Sequence, residues 1–471
     1  MIDLVITGDR VVTPHDTGPA DVAIGGGKVV AVAARGSFPL PAGARLVDVT
    51  GKIVMPGGID PHTHCLWPIP NPDGTAGLTQ GPSVVGRAAL HGGTTTIIDF
   101  TRWTHGRTVQ QAIEARMRQW RADGCACDWA LHTMLEGDLP PEVPAQLGEA
   151  IEAGHPTVKI FTTDITPSRA GRMVRFGEIW EIFKVLAREG GLAVIHAEDD
   201  DIVRHMYEKL FRENRTGFEH MAEVHNALSE DLSFRRVIRL AEHVEGMALY
   251  MMHVSAASGV EAIAESRARG YPIYGETLHQ YLLYTSEDYK KPNGQIYHTY
   301  PSLKSKRDQQ ALWDGMQHGH LHSVATDEVC CNLSVKVRGT RIDDTTGGNA
   351  GVEPRVAVIY TETVEKRGYS LEKFVDVVSS NAARILGLYP RKGAIAVGSD
   401  ADLVLWNPDG ELTITNAALH HAVDYTLYEG MHVRGIPDTV LLRGEVIVRG
   451  RQYVGRPGSG QFLARAKVAA R

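Results

Sequence analysis

The chain has 471 residues, of which 43% are hydrophobic and 22% are charged, a composition typical of a globular protein with a substantial core. Its formal net charge of −7 argues against nucleic-acid binding. The 5 cysteines are few and odd in number, which disfavours a disulfide framework and favours a reducing compartment. No stretch reaches the roughly 18 apolar residues that a membrane span needs, and the first residues lack a basic leader. We therefore expect a cytoplasmic protein that binds neither a membrane nor nucleic acid.

Both ends of the chain are predicted to be rich in short β-strands. The N-terminal part contains DLVITG, RVVTP and GKVVAVAA, and the C-terminal part contains DADLVLWNP and TVLLRGEVIVRG. Turn residues separate these runs, and the N-terminal part has no convincing helical period. We assign residues 1–52 and 390–471 to one small β-sandwich domain with a C-terminal tail.

The middle of the chain alternates between strand-like and helix-like segments. Between the apolar runs lie segments in which apolar residues recur every three or four positions, and several of them end in glycine. The predicted strands are 53–60, 94–100, 128–135, 157–163, 192–197, 248–254, 271–277 and 322–327. This alternation predicts an α/β fold, a (β/α)₈ TIM barrel over residues 53–389, although a doubly wound open sheet also fits the pattern.

Ionisable residues stand at or near the ends of five of these apolar runs. Each has an ordinary explanation alone, as a buried histidine, a lysine with its charge at the surface or a helix cap. Together they favour a metal centre, because barrel enzymes carry their chemistry at the carboxyl ends of the strands. The candidates are His62, His64, Lys159, His196, His253 and Asp327.

Four histidines and one aspartate suit zinc or a similar divalent ion. They are too many for one tetrahedral site that keeps an open position, and two ions about 3.5–4 Å apart would need a bridging ligand. An aspartate can bridge, and so can a lysine that has reacted with CO₂ to form a carbamate. The apolar neighbours of Lys159 favour the second reaction, because desolvation lowers the pKa of a lysine.

Longer motifs occur in a fixed order along the chain: GGIDPHTH, VKIF, VIHAE, HVSAASGV, YGETLHQYL, GNAGVEPR and KGAIAVGSDADLVLW. With these motifs the chain resembles the hydantoinases and dihydropyrimidinases, cyclic-amide hydrolases of the amidohydrolase superfamily, over essentially its whole length. The resemblance implies a metal-dependent hydrolase that opens a small cyclic amide or imide of the hydantoin or dihydropyrimidine type. It also implies a homo-oligomer, a tetramer or a dimer.

The resemblance implies a role for each candidate ligand. His62 and His64 would bind the more buried of two divalent ions, most simply Zn²⁺. Lys159 would carry a CO₂-derived carbamate that bridges both ions. His196 and His253 would bind the second ion.

The resemblance also implies a mechanism in which Asp327 is both a ligand of the first ion and the catalytic proton carrier. A metal-bridging hydroxide would attack a ring carbonyl while the second ion polarises its oxygen. Asp327 would accept the proton of the hydroxide and donate it to the leaving ring nitrogen.

The predicted substrate contacts depart from the D-hydantoinase pattern. Asp164 stands where a tyrosine commonly holds the oxyanion, and Tyr300 opens a Tyr-Pro-Ser-Leu run where a serine before Pro-Pro-Leu is frequent. Asn349 lies close to the position of the usual substrate-side asparagine, and Trp67 follows the first strand. We therefore expect ring opening on a substrate other than plain dihydrouracil, or loops that realign so that another group replaces the tyrosine.

Other functions remain alternatives at this point. Allantoinases share the same ligand set, so allantoin or another unusual cyclic amide is an alternative substrate. Dihydroorotases typically have an arginine where this chain has Leu66, which disfavours a dihydroorotase. Non-catalytic relatives of dihydropyrimidinase have lost metal ligands, whereas all the candidates are present here.

Overall fold

The structure, a computed structural model, describes residues 2–468. Eight parallel strands lie side by side in chain order: Gly58–Asp60, Thr94–Arg102, Asp128–Met134, Thr157–Phe161, Leu192–His196, Leu249–Met251, Ile273–Leu278 and Ser323–Ala325. The first and last strands meet just beyond their ends, where the Glu328 amide donates to the His62 carbonyl at 3.1 Å. The His64 amide in turn donates to the Glu328 carbonyl at 2.8 Å. This closure confirms the predicted barrel and excludes the doubly wound open sheet.

Helices lie between the strands and pack on the outside of the barrel. Phe176–Glu189, for example, buries Ile179, Ile182 and Leu186 on one face and ends at Gly190, whose φ of 80° is left-handed. The α-helices are Pro82–His91, Val109–Asp123, Glu142–Ala145, Leu147–Glu152, Phe176–Glu189, Asp200–Arg212, Met221–Val224, Ala227–Glu242, Ala257–Ala268, His279–Leu283, Lys306–Gln317, Leu333–Lys336, Arg355–Tyr360, Leu371–Val375 and Asn381–Ile385. None of the helices within residues 2–468 has the length and apolar character of a membrane span.

A second, nine-stranded sheet combines strands from both ends of the chain, as predicted. Its strands are Leu4–Val12, Thr17–Gly25, Lys28–Ala34, Arg45–Asp48, Ile53–Pro56, Leu403–Thr413, His432–Leu442, Glu445–Arg449 and Gln452–Tyr453. A two-stranded hairpin, Pro68–Pro70 with Ala76–Leu78, projects from the loop after the first barrel strand. Residues 469–471 of the predicted C-terminal tail, and Met1, lie outside the described residues.

The predicted strand 53–60 is divided between the two sheets. Ile53–Pro56 pairs with Leu4–Val12 and Leu403–Thr413, whereas only Gly58–Asp60 belongs to the barrel. Gly57 marks the crossing, since a Cβ atom there would lie 2.1 Å from the hydroxyl oxygen of Thr95. Only glycine allows the backbone to pass this close. The division of the whole chain into residues 1–52 with 390–471, and 53–389, stays a prediction.

A buried lysine joins the barrel to the second sheet. The Nζ atom of Lys392 lies 2.5 Å from Asp128 at the start of the third barrel strand. It also lies 3.0 Å from Asp400 and 2.5 Å from Asp402, just before the sheet strand Leu403–Thr413. The Lys392 side chain is 1% exposed, so these carboxylates compensate a charge that water does not reach.

Candidate metal centre and its cavity

Three side chains converge at one end of the barrel. The Nε2 atoms of His62 and His64 each lie 3.1 Å from the same Oδ1 oxygen of Asp327. The two histidines directly follow the first strand, and Asp327 follows the eighth, with a left-handed φ of 53° that aspartate tolerates. Closure of the barrel therefore brings the two ends of the alternating segment to one point, where the three residues could hold a metal ion.

The tautomer of His62 is set by a second carboxylate. Its Nδ1 atom lies 2.9 Å from Glu276 and must carry the hydrogen, because a carboxylate only accepts. The Nε2 atom faces the Asp327 oxygen at 3.1 Å, so that either a proton or a metal ion must lie between the two atoms. Burial lowers the pKa of His62, but the carboxylates of Asp327 and Glu276 outweigh it and raise the pKa to about 9. The site is thus built to hold a cation, which a divalent metal ion satisfies.

A second pair of histidines lies next to this cluster. Nδ1 of His196 is 3.0 Å from Nε2 of His253, and the His253 ring centroid is 5.5 Å from that of His62. Burial lowers the pKa of His196 to about 4, outweighing Glu198, and lowers the pKa of His253 well below its usual value. Both rings are therefore neutral at physiological pH, the form in which histidine binds a metal.

Lys159 reaches the same place from the fourth strand. Its side chain is buried between two aromatic rings, with Nζ 5.6 Å from the centroid of Phe100 and 5.1 Å from that of Phe161. Burial lowers the pKa of Lys159 to about 7, although Glu276 and Asp327 act in the opposite direction. A large fraction of this amine is therefore uncharged near neutral pH, the form that reacts with CO₂.

Supporting residues were missed at the sequence level. Glu198 joins two histidines, with 2.9 Å between one oxygen and Nε2 of His196, and 2.9 Å between the other and Nδ1 of His225. Glu276 supports His62 in the same way. Both glutamates stand in motifs already singled out, Glu198 in VIHAE just after a strand and Glu276 in YGETLHQYL within one. Their position could have indicated this role.

All of the predicted metal ligands line one cavity of about 460 Å³. Trp67 and Tyr300, two of the predicted substrate contacts, line it too. The Trp67 ring centroid lies 4.9 Å from that of His64, and the Tyr300 hydroxyl donates to the carbonyl of Thr345 at 3.2 Å. The structure thus brings both aromatic side chains to the space above the candidate ligands.

The other two predicted substrate contacts are not among the residues lining this cavity. One carboxylate oxygen of Asp164 accepts hydrogen bonds from the amides of Arg172 and Met173, both at 2.8 Å, and the other oxygen pairs with Arg204. Asn349 is fully buried, and its side-chain amide faces the carbonyls of Gly348 and Ile296. Asp164 therefore turns away from the centre, where its charge would oppose a developing oxyanion.

Three arginines that the sequence did not single out line the cavity: Arg169, Arg172 and Arg338. Arg169 and Arg172 belong to the loop after the fourth strand, and Arg338 belongs to the polar segment after the eighth. Their positions depend on how the loops fold over the barrel, for which no local pattern exists.

Comparisons with known proteins agree with this geometry. The amidohydrolase family profile matches residues 53–447. The chain is 37% identical to the D-hydantoinase of Geobacillus stearothermophilus, over 99% of this chain and 97% of that protein. It is 32% identical to the dihydropyrimidinase of Rattus norvegicus, over 99% of this chain and 89% of that protein. A D-hydantoinase crystal structure superimposes with a TM-score of 0.91 at 34% identity, covering 100% of both chains. The chain therefore belongs to the hydantoinase and dihydropyrimidinase family of cyclic-amide hydrolases, within the amidohydrolase superfamily.

Proposed function

We propose that this protein hydrolyses a C–N bond of a cyclic amide or imide and so opens a ring of the hydantoin or dihydropyrimidine type. Water adds across the bond, so that the carbonyl carbon becomes a carboxylic acid and the ring nitrogen gains a hydrogen. The observation that carries the proposal is the convergence of His62, His64 and Asp327, next to His196 and His253, in one cavity.

The donor set fits two divalent ions, and we propose Zn²⁺. Neutral imidazoles and a carboxylate are preferred ligands of zinc. His62, His64 and Asp327 would hold one ion, while His196 and His253 would hold the other. Two cations bound there would lower the pKa of a water molecule and polarise a carbonyl oxygen.

We further propose that Lys159 carries a carbamate that ligates both ions. Its low pKa and its position in the same cavity as the histidines support this. A carbamate would also exchange a positive charge for a negative one, which suits the surroundings of two cations.

Asp327 is the proposed proton carrier. Burial raises its pKa, but His62 and His64 outweigh burial and hold the pKa well below the usual value, so the side chain is ionised. The Thr299 hydroxyl donates to its other oxygen and fixes its orientation. From this position Asp327 would take a proton from the attacking water and donate it to the leaving nitrogen.

The alternative substrates are allantoin and other unusual cyclic amides. Asp164 stands where a tyrosine commonly holds the oxyanion, and this departure from the family pattern supports a substrate other than plain dihydrouracil. A non-catalytic role is disfavoured, because every candidate ligand lines the cavity.

We also propose a cytoplasmic homo-oligomer, a tetramer or a dimer. The five cysteines are all free and buried, which supports a reducing compartment. The oligomeric state rests on the family resemblance and is tested by light scattering of the purified protein.

The proposed function is tested with the purified protein supplied with zinc and bicarbonate. Hydantoin, 5-substituted hydantoins, dihydrouracil, allantoin, dihydroorotate and cyclic imides are offered, and ring-opened products are identified by mass spectrometry. We expect turnover of at least one hydantoin or dihydropyrimidine and a loss of about 10²- to 10⁴-fold in kcat for Asp327→Asn. A metal-loaded protein that opens none of these rings, or an Asp327→Asn variant with undiminished kcat, would contradict the proposal.

A further inference from the structure

The cavity contains more guanidinium groups than the proposed reaction requires. Arg169, Arg172 and Arg338 line it together with the candidate metal ligands and Tyr300. The proposed chemistry needs only metal ligands and a proton carrier. These cations are therefore available to recognise the part of the substrate that does not react.

Arg172 is held in place by protein partners. Its Nε atom lies 2.9 Å from Glu136, its guanidinium carbon lies 4.9 Å from the Phe161 ring centroid, and its side chain is 14% exposed. Glu136 also pairs with Arg102, so one carboxylate serves two guanidinium groups. This corner of the cavity keeps a positive balance even with its ion pairs formed.

Arg169 and Arg338 have no such partner. Within residues 2–468, no carboxylate oxygen lies within 4.0 Å of either guanidinium group. The guanidinium carbon of Arg169 lies 5.1 Å from the ring centroid of Tyr300, a cation–π contact that places the arginine beside an aromatic cavity wall. Arg169 is half-buried and Arg338 is exposed, so both reach the space that a ligand would fill.

Three acidic residues line the same cavity, and two of them are engaged by other side chains. Asp343 forms an ion pair with Arg341, at 2.9 Å from its Nε atom. One oxygen of Asp344 accepts a hydrogen bond from the Arg341 amide at 2.9 Å. Asp327 faces the candidate metal ligands. Asp344 has no cationic side chain within 4.0 Å, so the unpaired charges of the cavity, among the described residues, are one carboxylate against the two guanidinium groups of Arg169 and Arg338.

This excess of unpaired positive charge favours a substrate that carries a negative charge. Water solvates a free guanidinium group in an open cavity, but a ligand that fills the cavity displaces this water, and an unpaired cation then loses solvation. A carboxylate restores the lost interaction, because a guanidinium fork matches its two oxygens. A neutral or cationic substituent does not restore this interaction.

We infer that the substrate is a cyclic amide whose ring substituent carries a carboxylate, and that Arg169 and Arg338 bind this group. The inference rests on the proposed function and specifies its substrate class. The two arginines are specificity residues in this account, while the ring amide faces the candidate metal ligands.

The test uses three hydantoins that share the reacting ring and differ at the end of the 5-substituent: 2-carboxyethyl, 2-carbamoylethyl and 2-aminoethyl. The metal-loaded wild type is expected to show a kcat/KM for the carboxylate at least about tenfold above that for the isosteric carboxamide. Arg169→Gln and Arg338→Gln should each lower kcat/KM for the carboxylate by about tenfold and change it less than about twofold for the carboxamide. Arg118→Gln, on an exposed helix face outside the cavity, is the matched control, and metal content verifies the folding of each variant.

Equal kcat/KM for carboxylate and carboxamide, or a preference for the ammonium substituent, would overturn the inference while leaving the proposed function intact. Equal losses on both substrates in the arginine variants would also overturn it. Failure of the metal-loaded wild type to open any of the three rings, or any ring of the wider substrate panel, would overturn the proposed function and the inference together.

Discussion

The Nδ1 atom of His196 lies 3.0 Å from the Nε2 atom of His253. The other nitrogen of His196 donates to Glu198, which leaves the Nδ1 lone pair directed at the neighbouring ring. Glu198 also binds His225, so one buried carboxylate orients two imidazoles. We regard Glu198 as a positioning residue for the proposed second metal ion.

Replacing this carboxylate should weaken metal binding. Glu198→Gln should lower zinc affinity by about 10- to 100-fold, because an amide no longer fixes the tautomer of His196. The measurement is zinc competition with a chelator, followed by metal analysis. Glu208→Gln, whose side chain is 71% exposed, is the control. Unchanged affinity in Glu198→Gln would show that the glutamate only packs against the histidines.

The proposed carbamate predicts a chemical rescue. Lys159→Ala should lose metal and at least about 10²-fold in kcat, because removing an essential bridging ligand removes more than a supporting contact does. Added propionate should restore part of the activity, since its carboxylate can occupy the vacated space. Labelled bicarbonate should produce a carbamate carbon signal in the wild type that is absent from Lys159→Ala. Wild-type metal content and activity in this variant would exclude the bridging role.

The buried lysine between barrel and sheet predicts a large stability effect. Lys392→Met should destabilise the protein by about 3–5 kcal/mol, because Asp402 would be left without a cationic partner and Asp128 and Asp400 would each lose one of theirs. The urea midpoint measures this change. Lys290→Met, at a side chain that is 61% exposed, should shift the midpoint little. A shift no larger than in this control would mean that the carboxylates are compensated elsewhere.

Asp400 in the same cluster predicts a pH dependence. Burial raises its pKa, but Lys392, Lys28 and Arg391 together outweigh burial and lower the pKa from 3.8 to about 2. A carboxyl whose pKa is lower in the folded state adds stability above its unfolded pKa and loses it as the pH falls through the folded pKa.

The stability difference between the wild type and Asp400→Asn should therefore be full at about pH 5 to 7 and shrink between about pH 4 and pH 2. Urea unfolding at several pH values measures it. Asp138→Asn, at a side chain that is 79% exposed, controls for the loss of one surface charge. A difference independent of pH would show that the Asp400 charge does not stabilise the fold.

Much of the fold could be predicted from local pattern. Alternating apolar runs and helix-period segments predicted eight barrel strands, because the periods of strands and helices can be recognised from neighbouring residues alone. The interruption at Gly57 could not be predicted this way, since the close approach of Thr95 is a contact between different strands. Periodicity alone therefore merged 53–60 into one strand.

The candidate site, like the fold, could be predicted only in part from the sequence. The sequence by itself determined which ionisable residues stand at strand ends, and a parallel barrel gathers such residues at one rim. Asp164 and Arg169 both belong to the loop after the fourth strand. Only the tertiary structure decided that Asp164 pairs with Arg204, whereas Arg169 lines the cavity. The orientation of a loop side chain depends on partners from distant parts of the chain, whereas the position of a strand end depends on the strand itself.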